Sequence, residues 1–254
     1  MTIVEMGILA STLAGLGTGI GALPAFFLKN VPDKVLNTLL GGAAGVMLAA
    51  TSFSLIVPGI DYGNELWPGM GAWVMVAGML FGAVVLDRID KWLPHEHFFI
   101  GHEGPDSRIK RIWLFVIAIT IHNFPEGLAV GVGFGAGDVA AGTALAIGIG
   151  LQNMPEGLAV AMPLMGLGYP RWQAIGVATL TGLVEPVGGL LGAGAVSVFH
   201  PILPIGLAFA AGAMLFVISD EIIPETHSKG KSRLATFGVM VGFVIMMAMD
   251  NMLG

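Results

Sequence analysis

Long apolar stretches separated by short polar connections fill almost the whole sequence. Hydrophobic residues make up 55% of the chain, charged residues only 11%, and the mean hydropathy is +0.85. A membrane-spanning helix needs about 20 mainly apolar residues. The candidate spans are residues 4–28, 35–58, 67–92, 110–136, 139–166, 171–199, 202–225 and 233–253. The sequence therefore predicts an all-α integral membrane protein whose residues 1–254 form one eight-helix bundle in the lipid bilayer.

Basic residues occur on only one side of this predicted bundle. All 11 Lys and Arg residues lie in or beside the first, third, fifth and seventh connections. The positive-inside rule places these connections in the cytoplasm and both termini outside, as expected for a multi-pass protein of a plasma or inner membrane. The net charge of -6 gives no support for nucleic-acid binding, and the absence of Cys excludes thiolate metal ligands.

Three glutamates, Glu126, Glu156 and Glu185, lie near the middle of apolar stretches, and no Lys or Arg lies at a similar depth. An ionised carboxylate in the bilayer core costs at least roughly 2.5 to 3.5 kcal/mol. Three of them together predict a cation, a proton or a water-filled path that compensates the charge. Taken singly, each glutamate also has a structural interpretation as a protonated, hydrogen-bonded side chain.

A nine-residue motif occurs twice, at residues 122–130 and again 30 residues later at 152–160, with seven identical positions. The copies lie on consecutive predicted spans, which run in opposite directions, so they form an inverted pair of the kind that builds transport sites at the membrane midplane. A proline precedes the glutamate in each copy and removes a backbone hydrogen-bond donor inside the helix. A proline at such a position is also compatible with a simple packing kink.

Each copy groups potential metal ligands on one helical face. His122 and Glu126 are four residues apart, as are Gln152 and Glu156, and the asparagines Asn123 and Asn153 precede the glutamates by three. Imidazole nitrogen combined with carboxylate and amide oxygens suits divalent zinc, iron, manganese, cobalt or cadmium.

Two further residues are candidate ligands outside the motif. Glu185, followed by Pro186, repeats the pairing of a buried carboxylate with a helix break. Met47 offers a thioether sulfur, although methionine is more often a core residue.

The paired His-Asn-x-Pro-Glu-Gly and Gln-Asn-x-Pro-Glu-Gly motifs, on the fourth and fifth of eight spans, resemble those of the ZIP family of Zrt/Irt-like metal transporters, in particular its prokaryotic short-loop branch. The resemblance implies a binuclear metal centre. One metal would contact Met47, His122, Glu126, Gln152 and Glu156, and the other Asn123, Glu126, Asn153, Glu156 and Glu185. Some relatives carry Asp at the position of Asn153, so this chain has one formal charge less there.

The resemblance also implies an entrance at Asp61 and Asp250 and an exit at Asp220 and Glu221, with Glu225 and His227 nearby. It further implies a homodimer as one option. The connection between the third and fourth spans carries His95, His97 and His102, which either bind metal on the cytoplasmic side or belong to an ordinary solvated loop.

These features predict uptake of divalent metal ions by alternating access. Zn²⁺ is favoured, and Fe²⁺, Mn²⁺, Co²⁺ and Cd²⁺ are the alternatives. The ion is cargo, and no catalytic cofactor is expected. One competing hypothesis is an intramembrane metal-dependent hydrolase, although such sites usually hold two or three histidines and only His122 lies at depth. Another is a proton-coupled carrier of an organic substrate.

Overall fold

The computed structural model describes residues 1–28, 31–92, 105–227 and 233–253, and within these ranges the chain is helical and contains no strand. The all-α prediction is confirmed for these ranges. The described α-helices are α1 (Ile3–Ala22), α2 (Asp33–Ala49), α3 (Val57–Leu66), α4 (Gly71–Trp92), α5 (Pro105–Gly135), α6 (Val139–Gly166), α7 (Arg171–Gly182), α8 (Glu185–Val198), α9 (Leu203–Val217), α10 (Ile223–His227) and α11 (Arg233–Leu253).

Seven helical segments within the described ranges are long and apolar enough to cross a membrane. They are Ile3–Phe26, Lys34–Leu66, Gly71–Ile89, Phe115–Gly135, Arg171–Val198, His200–Asp220 and Arg233–Met252. Each corresponds to a predicted span. The remaining predicted span is α6, whose 28 residues extend over about 42 Å. Its hydropathy is lowered by the polar residues Gln152, Asn153 and Glu156 in its middle, so an eighth span stays a prediction.

Two spans are not single uninterrupted α-helices. The second span passes from α2 through a π-helical stretch, Ala50–Ile56, into α3 and continues to Leu66, beyond residue 58 where the predicted span ends. The sixth span is broken between α7 and α8. Glu185 and Pro186 occupy the first turn of α8. Backbone N–H groups in the first turn have no acceptor within the helix, so the N–H that Pro186 lacks costs no helical hydrogen bond. The break therefore places Glu185 at a helix start.

The helices pack as two groups. In one group, α1 packs on α5, α6, α7 and α8, and α5 packs closely on α8. In the other, α2 packs on α11 and α4 packs on α9, with α3 beside them. The two groups meet where α6 contacts α2 and where α5 contacts α9. Both helices that carry the repeated motif therefore lie at the boundary between the groups.

Candidate metal centre

The polar residues of the two motif copies and Glu185 are all buried inside the bundle. His122 is 4% exposed, and the other six are at most 1% exposed, namely Asn123, Glu126, Gln152, Asn153, Glu156 and Glu185. The carboxyl group of Glu126 interacts electrostatically with those of Glu156 and Glu185, and Glu156 interacts with His122. Helices α5, α6 and α8 therefore contribute their ionisable side chains to one region.

Close helix packing at the motif glycines produces this arrangement. A methyl group on Gly127 of α5 would overlap the main chain of Glu185 at the start of α8. A methyl group on Gly157 of α6 would overlap the main chain of Thr18 in α1. Because small residues allow the backbones of membrane helices to approach, the glycine after each motif glutamate brings that glutamate close to a neighbouring helix.

The two side-chain amides of the second motif copy both donate hydrogen bonds to glutamates on other helices. The Gln152 Nε2 atom lies 2.7 Å from Glu126 Oε1. The Asn153 Nδ2 atom lies 2.5 Å from Glu185 Oε1 and 2.8 Å from the main-chain oxygen of Ala14 in α1. A carbonyl oxygen can only accept, so the contact with Ala14 requires the nitrogen of the Asn153 amide at this position. These contacts connect α6 to α1, α5 and α8.

Several buried oxygen atoms of the centre accept no hydrogen bond from the described part of the chain. They are Asn123 Oδ1, Glu126 Oε2, Gln152 Oε1, Asn153 Oδ1, Glu156 Oε1, Glu156 Oε2 and Glu185 Oε2. Buried polar atoms in native proteins nearly always have a partner, because leaving them without one costs free energy. Carboxylate and amide oxygens of this kind are suitable partners for a cation or for water.

The ionisable residues alone do not complete a metal site. Over the described ranges, no group of three or more His, Cys, Asp or Glu side chains is arranged to hold a metal ion. One oxygen of Glu126 and one of Glu185 are held by amide donors instead. A metal in this region therefore needs amide oxygens as additional ligands, or a change in side-chain conformation.

Met47 lies in α2 on the other side of the boundary between the helix groups. It is 1% exposed and belongs to a cluster of buried apolar residues that includes Ile149 of α6 and Met246 of α11. This position agrees with the interpretation of Met47 as a residue of the apolar core. A role as a metal ligand stays a prediction.

The predicted entrance residues lie on two helices. Asp61 is exposed on α3, and Asp250 near the end of α11 accepts a 2.6 Å hydrogen bond from the Ser54 hydroxyl. Nothing in the sequence pointed to Ser54, because a single hydroxyl inside an apolar span has no distinctive pattern.

At the predicted exit, Asp220 is exposed in a π-helical stretch, Ile218–Ile222. The side chains of Glu221 and Glu225 lie outside the described part of the structure. The His227 Nδ1 atom lies 2.9 Å from the main-chain oxygen of Ile223, and its Nε2 atom lies 3.1 Å from Thr236 Oγ1. The histidines of the third connection, His95, His97 and His102, lie outside the described residues.

The described structure also contains buried polar groups that were not identified from the sequence. Besides the main-chain oxygen of Ala14, the hydroxyl groups of Thr18 in α1 and Thr51 in the second span are buried and have no hydrogen-bond partner in the described protein. Threonine is common in membrane helices, where its hydroxyl often bonds to the preceding turn. Sequence alone therefore does not separate these two threonines from the others.

Comparison with known proteins identifies the family of this chain. Residues 100–250 match the family model described as ZIP zinc transporter. A protein named zinc transporter ZIPB, from Bordetella bronchiseptica, is 45% identical over 99% of this chain and 82% of its own length. Zinc transporter GufA from Myxococcus xanthus is 46% identical over 98% of this chain and 99% of its own, and human zinc transporter ZIP11 is 35% identical over 93% and 94%. The expected resemblance is confirmed, and the chain belongs to the ZIP zinc transporter family.

Proposed function

We propose that this multi-pass membrane protein carries divalent transition metal ions, above all Zn²⁺, into the cytoplasm through the buried centre of α5, α6 and α8. The observation that carries the proposal is the set of buried oxygen atoms, contributed by three helices, that accept no hydrogen bond from the described protein. The relatives named as zinc transporters favour zinc as the cargo. Iron, manganese, cobalt and cadmium are the alternatives, and no catalytic cofactor is proposed.

The proposed binding position combines His122, Glu126, Gln152 and Glu156, with Met47 as a candidate thioether ligand. Its donor set of imidazole, carboxylate and amide groups suits borderline divalent ions. Neutral amide oxygens bind a cation less strongly than carboxylates do, so the ion can be dehydrated and still be released. The second position expected from the family resemblance would use Asn123, Asn153 and Glu185 together with Glu126 and Glu156.

The proposed topology has eight spans, α6 included, with both termini outside and the two motif copies on oppositely directed helices. Such inverted pairs commonly form transport sites at the membrane midplane. Asp61 and Asp250 are the proposed entrance residues, and Asp220 and Glu221 the proposed exit residues. Homodimer formation stays a prediction.

The proposed transport cycle uses the two helix groups. The motif copies lie where the groups meet, so a shift of one group against the other would expose the centre to each side of the membrane in turn. An inside-negative potential would favour uptake by about 4.6 kcal/mol per divalent ion for each 100 mV.

The two competing hypotheses receive no support from the comparisons. The relatives are named transporters, and the matching family is one of transporters rather than enzymes. Among the described residues, the centre holds one histidine, His122, whereas catalytic zinc sites usually hold two or three. A metal-dependent hydrolase and a carrier of organic substrates are therefore not retained.

Metal flux into liposomes that contain the purified protein and an internal zinc-sensitive dye tests this proposal. Glu156→Gln should lower the initial Zn²⁺ flux by at least about 10-fold, since even the loss of an outer-shell partner costs a metal site that much. Glu5→Gln makes the same chemical change on the exposed first turn of α1 and should leave the flux unchanged. Normal flux in the folded Glu156→Gln protein would contradict the proposal.

A further inference from the structure

The amide group of Asn153 lies between three helices and uses both of its donors there. It is fully buried on α6, and its nitrogen donates to Glu185 Oε1 on α8 and to the main-chain oxygen of Ala14 on α1. A side-chain amide has two N–H groups, so these two contacts use its whole donor capacity. The Asn153 side chain thus supplies the donor for a buried carboxylate oxygen and adds a second hydrogen bond to a carbonyl oxygen of a neighbouring helix.

Aspartate at this position would create the opposite situation. An ionised Asp has only acceptor atoms, so three groups of oxygen atoms, from residues 14, 153 and 185, would face one another with no donor among them. Two carboxylates within hydrogen-bonding distance of each other do not both stay ionised without a compensating cation. Asparagine removes this need because it replaces one of the negative oxygens with a donor.

Glu156 lacks any comparable donor. Neither of its carboxylate oxygens accepts a hydrogen bond from the described protein, although the residue is only 1% exposed. Glu126 and Glu185 are alike in this respect, because in each of them Oε1 accepts from a side-chain amide of α6 whereas Oε2 has no donor. The need for a cation is therefore greatest beside Glu156.

We infer that the Asn153–Glu185 pair takes the place of a second metal ion, so that the protein binds one transported ion, on the side of Glu156. This inference rests on the proposed function and specifies the stoichiometry of its centre. Asn153 is a positioning residue that holds Glu185 and connects α6 to α1 and α8, and it does not contact the ion. Glu185 then stabilises the bundle instead of coordinating the cargo.

Counting bound metal tests the inference. The purified protein in lipid nanodiscs is dialysed against buffered free Cd²⁺, and bound cadmium per chain is measured by mass spectrometry. A Glu126→Gln, Glu156→Gln double variant gives the background from all other sites, which is subtracted. We expect one ion per chain above background for the unchanged protein and for Glu185→Gln, which keeps an oxygen acceptor for Asn153. Asn153→Asp should bind two.

Two ions in the unchanged protein, loss of the ion in Glu185→Gln, or a single ion in folded Asn153→Asp would each overturn the inference. Binding at the background level in the unchanged protein would instead overturn the proposed function.

Thermal unfolding in the presence of a chelator provides a second test, which does not require Asn153→Asp to fold. Asn153→Ala should lower the unfolding temperature, because it leaves Glu185 Oε1 without its donor and removes the side-chain hydrogen bond to α1. Asn123→Ala is the matched control, since neither amide atom of Asn123 has a hydrogen-bond partner in the described protein. Equal effects of the two substitutions would overturn the inference.

Discussion

The two motif copies share seven of nine residues, but their asparagines have opposite surroundings. Asn153 of the second copy donates to two acceptors on two other helices. Asn123 of the first copy is equally buried, and its amide has no hydrogen-bond partner in the described part of the chain. The same residue in the same motif therefore serves as a connection between helices in one copy and offers an open amide group in the other.

The glutamates of the two copies differ in the same way. Glu126 in the first copy accepts a hydrogen bond from Gln152 of the second, whereas both oxygens of Glu156 lack a donor. In the second copy, the side-chain amides therefore donate hydrogen bonds to other helices, whereas the oxygens of Glu156 accept none from the described protein. The asparagines differ through their contacts with α1 and α8, whereas the glutamates differ through a contact between the two motif copies themselves.

The glycine that follows the glutamate should be equally important for packing in both motif copies. Both Gly127→Ala and Gly157→Ala would push a methyl group into the backbone of a facing helix, and a backbone cannot change rotamer to avoid it. We expect each substitution to cost about 3 kcal/mol or more, at the upper end of overpacking penalties, with loss of folded protein. Yield, size-exclusion profile and thermal unfolding measure the effect.

The control for this prediction is Gly176→Ala in α7. No atom outside its own helix and chain neighbours lies within 4 Å of a methyl group at position 176, so this variant should fold normally. If Gly157→Ala folded equally well, the close approach of α6 to α1 would be contradicted, and with it the account of how Glu156 is positioned.

Stabilisation of the folded protein by bound zinc tests the difference between Glu156 of the second copy and Glu185 of α8. At free Zn²⁺ of 100 times Kd, a protein that binds one ion only when folded gains about 2.7 kcal/mol. We expect this gain in the unchanged protein and in Glu185→Gln, and a far smaller gain in Glu156→Gln at the same zinc concentration. Unfolding curves with zinc and with chelator measure it. Equal gains in both variants would remove the distinction drawn between these carboxylates.

Much of the fold follows from the sequence because burial in lipid imposes simple rules. Apolar stretches of about 20 residues predict the spans, and seven of the eight predicted spans correspond to helices that are long and apolar enough to cross a membrane. The interruption before Glu185 agrees with the helix break expected beside Pro186. The continuation of the second span to Leu66 was missed, because the polar residues Asp61, Asn64 and Glu65 resemble a connection.

The candidate residues of the centre were also identified from the sequence, but their different hydrogen bonding was not. A main-chain oxygen such as that of Ala14 exists at every position, so no sequence pattern marks it as an acceptor. The asymmetry of Asn123 and Asn153 arises from contacts with α1 and α8, which the nine-residue motif does not include. A repeated motif therefore predicts which ligand types are present and leaves their hydrogen-bond partners open.

The substitution with the smallest expected effect makes the two motif copies identical at their first position. The first copy has His122 where the second has Gln152, so Gln152→His supplies a second imidazole and removes an amide. Imidazole favours Zn²⁺, whereas Mn²⁺ prefers oxygen ligands. We expect the preference for zinc over manganese to rise about 10-fold, equivalent to about 1.4 kcal/mol, in competition flux assays.

Gln152→Asn is the matched control for this change, because it keeps an amide at position 152 and should leave the ratio of zinc to manganese flux unaltered. Tighter binding slows release, so the absolute zinc flux of Gln152→His should fall even as the preference rises. An unchanged ratio in folded Gln152→His would mean that the side chain at position 152 does not contact the ion. The Gln152–Glu126 hydrogen bond would then be structural, like that of Asn153 with Glu185, and both amides of the second copy would serve only to hold the helices together.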